Sequence, residues 1–296
     1  RFEIDVALDG EADYRYELVI DGNEEQRPKV RRETLDYGGK PLFGFEDGRM
    51  SLYNDSQHPT PSVNFHADWY KSGLAIVASR PDNRKLTKFK DWLEKLRPVQ
   101  INPWEMSEQS EQEARYPSRN LENVADWFRH LQQESGEIVR EVIEDLREAI
   151  PGFRDLNAKK AGLDYREVMA TLAEPGGGRG IEVALTELSE GQRCLIALYL
   201  LLHAQTDAGG LLIVDEPENF IALREIQPWL MRAFERVEDK SGQLIVASHH
   251  PEMLNQLAAR GALLLIREDG GPAQVKPFPE SAMAPSEVVA RGWEDA

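Results

Sequence analysis

The residues best placed for chemistry are two adjacent carboxylates behind a short apolar run, Leu211-Leu212-Ile213-Val214-Asp215-Glu216-Pro217. Four apolar residues in a row fit a strand buried on both faces. Open parallel sheets bind ligands at the C-terminal ends of their strands, which is where Asp215 and Glu216 fall. In nucleotide hydrolysis such a pair divides the work. Asp215 would hold Mg²⁺, usually through water, and Glu216 would orient or deprotonate the attacking water. The same residues would also serve as a plain strand end before a turn.

A second candidate is Leu188-Ser189-Glu190-Gly191-Gln192-Arg193. Ser189 can cap a helix that starts beside it, and Gly191 leaves backbone N–H groups exposed at the positive helix end, a ready anion site. An ordinary capped helix start has the same composition. A third is Ile245-Val246-Ala247-Ser248-His249-His250-Pro251, a further apolar run ending in Ser-His. His249 could contact a γ-phosphate, although a histidine at a strand end is more often structural. One helical segment separates each candidate from Asp215.

The elements that must position these residues follow from periodicity. Phe2–Leu8 and Tyr14–Ile20 alternate apolar and polar residues around the turn pair Asp9-Gly10, so they read as a hairpin. Strands near Val30–Tyr37, Leu42–Phe45 and Met50–Tyr53 extend it into an antiparallel meander, and Asn54–Ala67 reads as a loop. Helical spacing marks Lys85–Leu96, Leu121–Gln132 and Glu137–Ile150, the last stopped by Pro151-Gly152. A short strand is expected at Val99–Asn102, a mobile linker at Met106–Arg119, and two strands near Phe153–Asn157 and Asp164–Leu172. The cluster Gly176–Gly178 with Gly180 reads as a loop.

Beyond Gly180 the pattern changes. Helix Glu190–Ala204, strand Leu211–Val214, helix Ala222–Val237, strand Gln243–Ala247, helix Pro251–Leu257 and strand Ala262–Ile266 follow in turn. That alternation argues for a parallel sheet covered by helices, with Leu211–Val214 and Gln243–Ala247 as parallel members of it.

Composition limits the function classes. The chain is 41% hydrophobic and 29% charged, a globular composition. Its longest apolar run, Cys194–Leu202, falls well short of the ~20 residues of a membrane span. The single cysteine, Cys194, excludes an intramolecular disulfide framework and a cysteine-based zinc site. The first residues do not form a signal peptide, which points to the cytoplasm. With 35 basic against 52 acidic residues, net −17, most of the surface repels nucleic acid. Any DNA contact then needs a local basic patch, of which Arg80–Arg97 around Trp92 is the sharpest; a solvated helix face is the plainer reading of that stretch.

Taken together, Leu-Ser-x-Gly-Gln, then apolar-Asp-Glu-Pro, then Ser-His resemble the ATPase heads of the ABC superfamily, in the branch containing RecF, the structural-maintenance-of-chromosomes (SMC) proteins and the OLD-type and AAA_21-type ATPases. Asp215-Glu216-Pro217-Glu218-Asn219 is similar to the Asp-Glu-Pro-Glu-Asn of AAA_21 members, which include components of anti-phage defence systems, and Pro285–Trp293 is similar to the tail of some of them. Glu33-Thr34-Leu35 before Leu42-Phe43 resembles the family's antiparallel β-subdomain.

The resemblance implies an α/β P-loop NTPase fold with a mostly parallel core sheet, an antiparallel β-subdomain (1–78), a helical insertion (79–165) and a core lobe (166–296). It implies Asp215 as the Walker B magnesium residue, Glu216 as catalytic base and His249 as switch histidine. Ser189, Gly191 and Gln192 would be the signature closing on ATP held by a second head, and 219–223 the D-loop, where Ile221-Ala222-Leu223 replaces the Leu-His-Pro common in AAA_21 members. ATP and Mg²⁺ are the implied cofactors. A second copy of the head, and a DNA or protein effector such as a nuclease or toxin, are the implied partners, in anti-phage defence or DNA repair. No Gly-x-x-x-x-Gly-Lys-[Ser/Thr] occurs in the sequence. In the family that P-loop lies before the β-meander, so the chain, which opens in mid-strand, is expected to be part of something longer. The alternative is a catalytically inactive scaffold of the same fold.

Overall fold

The computed structural model describes all residues except 9, 11, 23–26, 57–59, 208, 209, 241, 268, 269, 279–282 and 291–296. Asp9 of the first turn and the end of the resembling tail, 291–293, therefore lie outside the described residues. The chain forms two compact units, Arg1–Lys95 and Leu96–Ala296.

In the first unit, β1 (Phe2–Ala7), β2 (Asp13–Asp21), β3 (Lys29–Tyr37), β4 (Lys40–Glu46), β5 (Arg49–Leu52) and β6 (Val63–His66) pair in chain order as an antiparallel meander. Alternation places Tyr14, Tyr16, Leu35, Phe43, Phe45 and Met50 on the buried side. A single turn, α1 (Gly73–Ile76), and the amphipathic α2 (Arg84–Leu93) follow. Leu86 and Phe89 of α2 close this core, the Phe89 ring standing 5.6 Å from Tyr14 and 5.4 Å from Tyr16. β6 corrects the reading of 54–67 as a loop: it pairs with β5. All four of its residues are exposed, so this edge strand lacks the alternation that betrays a half-buried one.

Glu33 on β3 is fully buried and fully bonded. It accepts hydrogen bonds from Tyr16 Oη (2.7 Å), Ser72 Oγ (2.7 Å) and the backbone N–H groups of Gly73 (2.7 Å) and Leu74 (3.3 Å). The carboxylate thus pins the first turn of α1 to the sheet, and burial together with the Glu33 charge raises the Tyr16 hydroxyl far above the usual tyrosine range.

The second unit opens with β7 (Arg97–Val99), β8 (Gln109–Ser110), α3 (Val124–Glu134) and α4 (Gly136–Ala149). The strands β9 (Phe153–Lys160), β10 (Arg166–Leu172) and β11 (Ile181–Ala184) follow; β10 pairs antiparallel with β8, β9 and β11. Next come α5 (Glu190–Asp207), β12 (Leu211–Asp215), α6 (Leu223–Lys240), β13 (Gln243–Ala247) and α7 (Pro251–Leu257). The chain then runs through β14 (Leu263–Ile266), β15 (Gln274–Pro277) and α8 (Pro285–Ala290).

β12 is the centre of a parallel sheet ordered β13-β12-β7, with Val214 opposite both Val246 and Val99 and Asp215 opposite Ala247. The parallel pairing expected from the alternation is present. The strand expected at Val99–Asn102 sits slightly earlier, as β7. The last expected strand does not join this sheet. β14 pairs antiparallel with β15, and Leu263 and Leu265 are 65% and 72% exposed, so its apolar run is not that of a strand covered on both faces.

Helix α5 explains the longest apolar run. Every residue from Cys194 to Leu202 is no more than 2% exposed, because the helix packs against α4, α6 and β12. Burial pushes the Cys194 thiol up to about 12, so the lone cysteine is an unreactive core residue. No helix among the described residues is long and apolar enough to cross a membrane. The polar end of α5 is tied by hydrogen bonds: His203 faces Glu141 through Nδ1 (3.2 Å) and Asp145 through Nε2 (2.6 Å). From α6, Arg236 donates to Glu141 (2.7 Å) and to Thr206 (3.0 Å), and Arg232 to Asp145 (3.1 Å). Burial alone would raise Asp145, but His203 and Arg232 outweigh it and hold its carboxyl below the usual range.

The segment Met106–Arg119 is not a mobile linker. Met106 and Ser110 are buried, β8 pairs with β10, Ala114 N–H donates to Asp126 O (3.2 Å) and Ser118 N–H to Asn123 Oδ1 (2.8 Å). Its polar side chains close local turns, and the same composition marks an unattached chain only where such bonds are absent.

Replacing Glu33 with Ala strands Tyr16 Oη and two helix-end N–H groups in the core. The expected loss is roughly 3 kcal/mol or more of unfolding free energy, read by urea denaturation.

Candidate functional site

The site is built by the C-terminal ends of β12 and β13. Glu216 N–H continues the ladder one residue past β12, donating to Ala247 O at 2.8 Å. The chain then turns sharply through residues 216–221, with Asn219 N–H on Glu216 O and Ile221 N–H on Glu218 O, both 3.1 Å. Two non-glycine residues of this turn, Glu216 (φ 51°) and Phe220 (φ 68°), adopt the left-handed conformation. Such strain, on the order of 1 kcal/mol or more each, persists only where surrounding contacts impose it.

Those contacts come from the end of β13. His249 Nδ1 lies 2.5 Å from Glu216 Oε1, and Ser248 Oγ donates to Glu218 Oε1. Ser248 Oγ also accepts from His250 N–H at 3.1 Å. The His249 side chain is 84% exposed, so its other ring nitrogen is open to a ligand. The hydrogen bond to Glu216, and then the Glu216 charge, raise His249 above the ordinary histidine range. His250 instead caps α7, accepting from Glu252 N–H at 3.3 Å.

Glu218 is 8% exposed. Burial lifts its carboxyl above the usual range, the Ser248 hydrogen bond opposes this, and the Glu216 charge and a hydrogen bond to Glu216 add to the rise. One oxygen each of Glu216 and Glu218 is buried without a hydrogen-bond partner among the described residues. Asp215 and Glu216 are adjacent at the strand end, and among the described residues no group of three His, Cys, Asp or Glu is arranged to hold a metal. A hard cation here would need further oxygens. That suits Mg²⁺, which is typically bound through one or two carboxylates together with water and substrate phosphates.

The Ser189–Gln192 segment forms a capping box at the start of α5. Gln192 N–H donates to Ser189 Oγ (3.3 Å), and Gln192 Oε1 accepts from Ser189 N–H (3.1 Å) and Ser189 Oγ (3.2 Å). Gly191 lies against the turn: a Cβ there would stand 2.8 Å from Phe220 O. Trp104 joins them, its indole N–H donating to Glu190 Oε1 (3.0 Å) and its ring meeting Phe220 edge-on at 5.1 Å. Arg193 donates to Pro103 O at 2.6 Å. The structure therefore brings Glu216 and His249 into direct contact on the strand end that carries Asp215, and links Gly191 to the same turn through the Phe220 backbone.

Glu218, Ser248, Trp104 and Phe220 were not singled out from the sequence. Glu218 and Ser248 had a signal as unassigned members of the two strand-end motifs, and Phe220 lay within the stretch 219–223; Trp104 had none. In the basic stretch 80–97, Arg80 pairs with Asp82 (3.2 Å), Lys85 lies over Tyr37 (4.4 Å), Lys90 donates to Ala75 O and Val77 O, and Arg97 covers Tyr116 (4.1 Å).

The family described as "AAA domain, putative AbiEii toxin, Type IV TA system" (AAA_21) matches residues 1–255. No curated protein matches. Among solved structures, an SMC ATPase from a study of ATP-driven dimerisation and DNA-stimulated activation is similar at 15% identity and a TM-score of 0.41, covering 56% of this chain and 95% of that one. An SMC head bound to the C-terminal winged-helix domain of ScpA has 14% identity, a TM-score of 0.45, and 94% and 76% coverage. For the Pyrococcus yayanosii SMC head with coiled coil and joint the values are 14%, 0.40, and 59% and 33%, so this chain spans a third of that one.

Two outcomes check the site. Because the folded His249 value is raised, the contribution of its pair with Glu216 is fully present below the ordinary histidine value and is lost as pH rises through the raised one. An NMR titration should place the His249 midpoint above that of a free histidine, and Glu216→Gln should return it to the ordinary range. Gly191→Ala forces a Cβ onto backbone, and should cost about 1–3 kcal/mol in chemical denaturation.

Proposed function

The chain belongs to the AAA_21 family, and on that premise we propose that it is an ABC-type ATPase head that binds and hydrolyses ATP with Mg²⁺ between two copies of itself. The observation that carries the reading is the Glu216–His249 contact at the end of a parallel strand pair, with Asp215 beside it. Asp215 would hold Mg²⁺, which when bound supplies charge neutralisation at the phosphates. Glu216 accepts the proton of the attacking water, and its hydrogen bond to His249 orients the carboxylate. His249, exposed and favoured in its charged form, donates to the γ-phosphate side. Residues 166–296 form the nucleotide-facing lobe, with 1–78 as its β-subdomain and 79–165 as an insertion.

Ser189, Gly191 and Gln192 act in trans. Two heads facing each other across a two-fold axis give an isologous interface in which each site takes Asp215, Glu216 and His249 from one copy and the start of α5 from the other. Closure controls a DNA or protein effector, such as a nuclease or toxin, in the cytoplasm, in anti-phage defence or DNA repair. A P-loop missing from the full-length protein would favour a second reading, a scaffold of the same fold without turnover; residues 1–296 contain no such sequence.

In the full-length protein Glu216→Gln should keep ATP binding while lowering kcat by roughly 10²–10⁴-fold. Unchanged steady-state turnover would remove Glu216 from the base role, and a wild-type protein without turnover would select the scaffold. Ser189→Arg should be inactive alone, yet mixing it with Glu216→Gln should restore activity, because both lesions can fall on one composite site and leave the other whole. Subunit exchange without recovered turnover counts against the trans arrangement.

A further inference from the structure

Two successive residues at the end of β13 each meet a glutamate of the turn that follows β12. His249 meets Glu216, and Ser248 meets Glu218. The two contacts differ in environment. His249 stands in solvent, whereas Glu218 is more than nine-tenths buried. The turn between them is strained at Glu216 and Phe220, so its shape depends on whatever clasps it to β13. On the backbone, the bond between the turn and the end of β13 among the described residues is that from Glu216 N–H to Ala247 O. The Glu218–Ser248 pair adds a side-chain clasp. Ser248 Oγ in turn accepts from His250 N–H, so one hydroxyl fixes the backbone on both sides of His249.

We propose that Glu218 is a positioning residue of this site: its buried side chain holds the Ser248 hydroxyl, which sets the backbone of His249 against the turn that presents Glu216. The inference rests on the reading of Glu216 as the base. It adds that the second glutamate of Asp-Glu-Pro-Glu-Asn works through its shape and hydrogen bonds rather than its charge. Oε2 of Glu218 and Oε2 of Glu216 are both buried without a hydrogen-bond partner among the described residues, so a donor on residue 218 that faces Glu216, beside an acceptor for Ser248, fits the site. Burial and the adjoining Glu216 raise the Glu218 carboxyl against the opposing Ser248 hydrogen bond. A glutamine amide reproduces that pattern, with a carbonyl oxygen for Ser248 and an N–H for Glu216. The same change, Glu to Gln, should therefore have opposite consequences two residues apart: it lowers turnover by orders of magnitude at 216 and is tolerated at 218.

The test uses the full-length protein, with kcat and KM for ATP measured for Glu218→Gln, Glu218→Ala, Ser248→Ala and the double alanine variant. Glu218→Ala and Ser248→Ala should each lower kcat roughly 10- to 100-fold, the scale of a small misplacement of reacting groups, with KM within about twofold of wild type. The double variant should be no worse than either single one, because both remove one clasp. Glu218→Gln should recover most of the activity that Glu218→Ala loses.

Wild-type kcat in Glu218→Ala, additive losses in the double variant, or a Glu218→Gln as impaired as Glu218→Ala would each overturn the inference. If Glu218→Ala fails to fold, Ser248→Ala alone decides, since it removes one hydroxyl: wild-type kcat in it overturns the inference equally. A wild-type protein that turns over no ATP removes the parent reading and the inference together. An active wild type indifferent to residue 218 removes only the inference.

Discussion

The in-register parallel pairing of β12 with β13 is the constraint on which the rest of the site depends. Parallel strands end on the same side of a sheet, so the carboxylates that finish one strand meet the Ser-His that finishes the other. The register is held by burial: Leu212 and Val214 are at most 1% exposed, and a slip of one residue would turn them outward. It would also take Glu216 N–H away from Ala247 O and dissolve the turn at its first bond.

Helix α5 carries that constraint to the other half of the site. Its middle is locked by apolar burial, and its C-terminal turns by the charged cluster of His203, Glu141, Asp145, Arg232 and Arg236. Such half-buried pairs add little net stability against a well-packed apolar alternative, but they are intolerant of a changed register. With α4, α5 and α6 tied in this way, the start of α5 has little freedom to move away from the turn it touches through Gly191 and Phe220. The glycine is required there by proximity to a carbonyl, quite apart from any ligand that Ser189 and the helix N-terminus would meet.

The capping box gives the proposed signature residues a structural duty as well. Ser189 and Gln192 satisfy each other, Ser189 Oγ taking the Gln192 N–H of the first turn of α5, so the helix start is held by the chain's own side chains. Trp104 and Phe220 brace the same corner from outside. A helix end prepared in this way would meet an anion without the entropic cost of ordering it first.

Sequence periodicity by itself determined the β-meander, the amphipathic α3 and α4, the parallel pairing of β12 and β13, and the position of Asp215, Glu216 and His249 at strand ends. Each of these is written in local terms, as a period of 2 or 3.6 residues or a motif within a few positions. Tertiary structure alone decided the partners. Glu33 reads as one more charged residue on a strand, and only the fold surrounds it with Tyr16, Ser72 and the start of α1. Residues 106–119 read as unattached chain until Asp126 and Asn123 are brought beside them. The apolar run of β14 could not distinguish a covered strand from an exposed one, because its neighbour is chosen by contacts outside the run. Glu218 likewise shows its role only when β13 places Ser248 against it, since burial and long-range hydrogen bonds leave no period in the chain.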